Sequence, residues 1–238
     1  MKIIVGLFVF IIILIIIFIM SQKRTNTNKS TATSWASGKL KPIHFESEPD
    51  LPIGFGYKCQ WFAVKTVDTE AVLEEIKLKN VQVSNWNTGI EGAYEGYYFI
   101  APPIHDWTFI INSIMPDLSG KESLYPLTVI TDLSQRFGEA YYFGTHRVVE
   151  YHAWAKAVNG KVVRAYGYLG ESGETIIDQG ELTQDEIDSN LIFTDVDVDE
   201  PNLPDEEDVL FIAKKWTVDP LLQEGNYPFG TGYVGTKE

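Results

Sequence analysis

The sequence predicts an α+β protein: an N-terminal transmembrane helix, then one ferredoxin-like (βαββαβ) antiparallel sheet domain extended by a C-terminal β-hairpin and a covering helix. Three observations carry this expectation. Ile3 to Met20 is an 18-residue apolar run with one glycine and no charge. Between Gln60 and Gly144, β-rich and helix-periodic segments follow in the order β-α-β-β-α-β. Asn159-Gly160 then joins two aromatic-rich runs, and this dipeptide signals a hairpin because both residues accept the positive φ of a type I′ turn.

The apolar run would be about 27 Å long as a helix, close to the thickness of a bilayer core. It ends in Phe18-Ile19-Met20 without the small residues of a cleavage site, so a retained signal-anchor is expected over a cleaved signal peptide. Residues 1–22 are therefore read as a transmembrane anchor, with the bilayer as a partner through residues 3–20. Lys23, Arg24 and Lys29 on the C-terminal flank, against Lys2 on the other, tilt the soluble part toward the cytoplasmic face. Residues 23–52 read as a flexible basic linker rich in Ser, Thr, Asn and Lys. The lone Cys59 permits no intrachain disulfide.

Residues 53–238 read as an acidic α+β globular domain. Residues 1–45 hold six Lys/Arg and no acid, leaving 13 basic against 33 acidic residues in the remainder. Such a balance disfavours nucleic acid as a partner and favours a basic protein surface. Gln60 to Thr66 is a strand, and Asp68 or Thr69 caps a helix through Lys77 with Val72, Leu73 and Ile76 on one face. Asn85 to Gly96, rich in Asn and Gly, reads as a long loop. Tyr97–Ala101 and Trp107–Asn112 read as an antiparallel pair, Leu127–Phe137 as a helix ended by Gly138, and Glu139–Gly144 as a strand. Thr175–Asp178 is a short strand. Asp205 opens a helix whose Val209, Ile212, Ala213 and Trp216 form a core-facing stripe, and the tail from Gly225 is expected to be irregular.

A two-residue turn at Asn159-Gly160 places Trp154 opposite Ala165, His152 opposite Gly167 and Glu150 opposite Leu169. On an uninterrupted strand His146, Val148, Glu150, His152 and Trp154 share one face. Glu150 and His152, roughly 7 Å apart along the strand, make candidate catalytic residues with His146, since a carboxylate can orient an imidazole for acid–base work; His105 and Asp106 are candidates to join them. The plainer reading is that His152 and Trp154 fill space in the core. Two ligands are too few for a metal site, and no motif asks for a cofactor, so neither is expected.

Trp154, Arg164 and Tyr166 are candidate binding residues, as are Asp195, Asp197 and Asp199. These three aspartates begin a stretch with eight carboxylates in fourteen residues, Asp195 to Asp208. Its alternation resembles a calcium loop, but Glu200 stands where the sharp turn needs glycine, and a solvated acidic loop is the plainer account.

The segments WFAVKT (61–66), YFGTHRVVEYHAWAKA (142–157), VRAYGYLGESGET (163–175) and PDEEDVLFIAKKWTVDP (204–220) resemble stretches of a family of uncharacterised bacterial proteins. The resemblance implies one bacterial domain and carries no activity or catalytic residue with it. Three functions compete: a membrane-tethered, immunity-like or envelope-associated protein-binding module with an acidic surface, which is favoured; an enzyme or metal-binding protein using the His152/Glu150 face; and a structural component of the envelope. No nucleophile elbow or phosphate loop supports the enzyme, so the balance leans away from catalysis.

Overall fold

The computed structural model describes residues 40–120 and 124–237. At its centre β1 (Cys59–Val64) pairs antiparallel with β4 (Thr108–Asn112) on one side and β5 (Glu139–His146) on the other. Every residue of β1 is buried, because helices cover both faces of the sheet. The other elements are α1 (Thr69–Ile76), β2 (Lys79–Asn85), α2 (Trp86–Tyr94), β3 (Tyr98–Ile100), α3 (Tyr125–Phe137), β6 (Tyr151–Val158), β7 (Lys161–Leu169), β8 (Glu174–Gln179), α4 (Gln184–Asp188), α5 (Glu206–Trp216) and β9 (Thr231–Thr236).

Among the described residues the strands form one nine-stranded sheet in the order β2-β9-β3-β4-β1-β5-β6-β7-β8, with every neighbouring pair antiparallel. This corrects the ferredoxin-like expectation. The four strands anticipated before Tyr151 lie side by side as β3-β4-β1-β5, but five more extend the sheet, and helices pack on both faces instead of one. On one face Trp61, Phe99, Phe109, Phe143 and Trp154 lie under α2 and α5. On the other, Phe62, Ile100, Ile110 and Tyr142 lie under α1 and α3.

Two glycine-bearing segments account for much of the difference. The expected loop 85–96 contains α2, whose N-terminus is held twice: the Asn85 side chain accepts from Thr88 N, and the Asp50 carboxylate accepts from Trp86 N and Asn87 N at 2.6 and 3.0 Å. Gly89 is not a loop signal here. A Cβ at that position would overlap the Phe99 ring, so glycine is what lets the helix lie directly on β3. The expected irregular tail supplies β9, which inserts between β2 and β3. A side chain at Gly232 would run into the Ile100 carbonyl, and its absence permits the insertion.

Residues 42–52, read as the end of a linker, belong to the same compact unit as the sheet, which starts at Pro42. Phe45 packs edge-on against Tyr97, and Glu46 O accepts from Asn85 N. The expected anchor at residues 3–20 lies outside the described residues. Among the described residues no helix is long and apolar enough to cross a membrane. The expectation of a single-pass transmembrane protein therefore has no support among the described residues.

The hairpin register also differs from the one expected. Val158 pairs with Lys161 and Ala157 with Val162, as a two-residue turn demands, but a bulge at Val163 then shifts the pairing by one. Trp154 consequently faces Tyr166, His152 faces Tyr168 and Ala153 faces Gly167. The shift sorts side chains by size. Trp154 and Tyr166 meet with ring centroids 4.8 Å apart on one face, while Ala153, Ala155, Ala157 and Ala165 make a shallow surface against which α3 packs closely.

Candidate functional site

The strand expected to run through residues 146–154 is broken. β5 ends at His146, a turn occupies 147–150, and β6 begins at Tyr151. Glu150 takes a left-handed backbone (φ 52), held there as Gly170 N donates to its carbonyl at 3.0 Å and Glu171 N donates to Val149 O at 3.1 Å. Lys58, Lys77, His105 and Leu222 share this backbone, so at Glu150 it marks a tight turn.

This turn and the start of α5 form the two sides of an open groove of about 370 Å³. Arg147, Glu150, Asp205 and Glu206 line its rim, and His152, Tyr168, Leu203 and Pro204 complete it. His152 is buried, and its Nδ1 lies 3.2 Å from Thr145 Oγ1 on the neighbouring strand. Burial pulls its pKa down to about 4, with the nearby Asp205 carboxylate opposing the shift. The imidazole is thus neutral near pH 7. Asp205 is the N-cap of α5, accepting from Glu207 N and Asp208 N through Oδ1. Burial and the Glu150 carboxylate together raise the Tyr168 phenol above its ordinary value.

The sequence-derived candidates therefore divide. Glu150 and His152 both line this groove, and the carboxylate that acts on the His152 imidazole is that of Asp205. His146 ends β5, does not line the groove, and has a buried Nδ1 without a partner. His105 lies in another turn, its ring 6.1 Å from that of Tyr227, and neither it nor Asp106 lines the groove.

Trp154, Arg164 and Tyr166 are interior residues. Arg164 Nε donates to both carboxylate oxygens of Glu186, at 2.9 and 3.1 Å, and its Nη1 pairs with Asp178. Trp154 Nε1 donates to Glu186 Oε1 at 2.9 Å. Glu186 is itself fully buried and closes a capping box with Thr183 at the start of α4. One carboxylate thereby ties a short helix to β6 and β7. Arg164 stands out in the sequence, whereas its partner Glu186 does not. The Thr183-x-x-Glu186 spacing was the available signal.

Asp195, Asp197 and Asp199 lie on an exposed loop closed at its base by Thr194 and Asn202. Thr194 N donates to Asn202 O, and Asn202 N donates to Thr194 Oγ1, both at 2.9 Å. Among the described residues no group of three or more His, Cys, Asp or Glu side chains is gathered to hold a metal ion. Cys59 is buried in the core, and burial raises its thiol to about 12, far from a reactive thiolate.

Comparison with protein-family models, with curated proteins and with solved structures finds no match.

Proposed function

We propose that the chain is a protein-binding, immunity-like module that docks a basic protein surface. The closed loop at 194–202 carries the proposal. It presents Asp195, Asp197, Asp199 and Glu200 exposed, and no ion pair among the described residues neutralises any of them. Val196 and Val198 alternate with the acids and are half-exposed, giving apolar contact area between the charges. The tied base limits the entropy lost when a partner orders the loop. Complementary charge would speed encounter with a cationic partner and make binding sensitive to salt.

The groove supports recognition rather than proton transfer. A histidine with a pKa of about 4 is a weak base near neutral pH, poorly matched to general acid–base work. The test is capture of basic proteins by the full chain at low and high salt, beside the triple variant Asp195→Asn/Asp197→Asn/Asp199→Asn. Retention at low salt that is lost at high salt and lost in the variant is the expected result. Equal capture by both chains would overturn the reading.

A further inference from the structure

The groove beside the acidic loop holds more than surface carboxylates. His152 is 3% exposed, its one hydrogen bond runs from Nδ1 to Thr145 Oγ1, and Nε2 has no partner among the described residues. An unpartnered polar atom on a largely buried ring in the lining of a groove is a place for a ligand's hydrogen bond. With the proton on Nδ1, donated to Thr145, Nε2 is an acceptor. The surrounding groups are acceptors as well. Asp205 uses Oδ1 to cap α5 and leaves Oδ2 uncommitted, and Glu206 uses Oε1 for Lys58 N at 3.3 Å and leaves Oε2 uncommitted. Glu150 lies against Gly170, where a Cβ would collide with its side chain, and makes no side-chain hydrogen bond among the described residues. Tyr168 adds an aromatic wall.

We propose that this groove binds the guanidinium group of an arginine side chain presented by the basic partner. The inference rests on the docking reading above and names the group that the partner must carry. Acceptors reach the groove from the 147–150 turn, from β6 and from the start of α5, and a planar guanidinium with five fixed N–H donors can meet several of them at once where an ammonium offers three. Tyr168, 4% exposed, closes the groove on its inner side. The groove volume, about 370 Å³, is within the range of small-ligand sites. Arg147 on the rim is the groove's own cation, and an incoming guanidinium must lie beside it or displace it.

The test uses the full chain titrated with N-acetyl-arginine amide by calorimetry, with N-acetyl-lysine amide as the comparison and the His152 imidazole followed by NMR. Expected are saturable binding that favours the arginine compound and displaced His152 resonances. Glu150→Gln should weaken binding about tenfold, the loss of one charge-assisted contact, with an unchanged melting temperature. Arg147→Ala should bind at least as tightly. Absence of saturable binding, static His152 signals, or weaker binding by Arg147→Ala, which would mark the groove as an anion site, would each overturn the proposal. The two readings separate cleanly. Arginine binding without capture of basic proteins leaves the groove standing and removes the docking function. Capture that survives Glu150→Gln unchanged, in the absence of arginine binding, does the reverse.

Discussion

Strands β5 to β8 follow one another in sequence and in space, each joined to the next by a short connection, whereas β2, β9 and β3 bring together residues from opposite ends of the unit, with Lys79 paired to Thr236. The two regions also differ in what holds them. The consecutive strands carry polar side chains inside the protein: Arg164 and Glu186 bridge to Trp154, and His152 is buried beside Thr145. The long-range region buries uncharged polar groups, Ser84 against Thr88 and Asn85 against Glu48 O, and depends on close backbone approach, with glycine at 232 where β9 passes the Ile100 carbonyl. A locally connected sheet can carry buried charge because its strands are positioned by their turns. A strand recruited from the distant end of the chain must pass between two backbones to pair with both, so its sequence must leave room.

The largest expected effect breaks the polar region. Glu186→Gln removes the carboxylate from a guanidinium that is 2% exposed, and removal of one partner from a buried pair costs about 3 kcal/mol or more. Denaturant unfolding should show that loss, with the amides of α4 and β7 exchanging early. A change below about 1 kcal/mol would mean that the pair is balanced by Asp178 alone.

Acid should act on the same region. His152 titrates at about 4 when folded and 6.5 in its ordinary state, so between those values the unfolded chain binds more protons and stability falls as pH falls. Integrated over that window the loss approaches roughly 3 kcal/mol. A His152→Asn chain should lose this component of its acid limb. Parallel stability curves for the two proteins from pH 7 to pH 4 would refute the assignment.

Gly232→Ala probes the other region. The added methyl meets backbone, which cannot rotate away, and overpacking of this kind costs about 2 kcal/mol. Hydrogen exchange should show β9 and β2 losing protection while β5, β6 and β7 keep theirs. Uniform loss across the sheet would show that the two regions unfold as one. The smallest effect is Asp205→Ala, which removes the side-chain acceptor for Glu207 N and Asp208 N. It should lower stability by about 1 kcal/mol, read as a small drop in melting temperature, and it removes one acceptor from the groove as well.

Much of the local structure was legible in the residues. Asn159-Gly160 encodes a turn in its own backbone preferences, Asp68 and Asp205 cap the helices that follow them, and the spacing of Val209, Ile212, Ala213 and Trp216 marks a buried stripe. That Glu150 and His152 line one groove follows from their proximity along the chain, although the turn at 147–150 removes the shared strand face. These features act through φ, ψ and periodicity, which neighbouring residues set among themselves. Tertiary structure decided the rest. The insertion of β9, the docking of α2 on Phe99, the bulge that turns Tyr166 toward Trp154, and the burial of Glu186 against Arg164 all depend on which distant surface arrives opposite. A glycine written into a sequence reads equally as a loop or as room for another strand, and only the neighbour that fills the space distinguishes them.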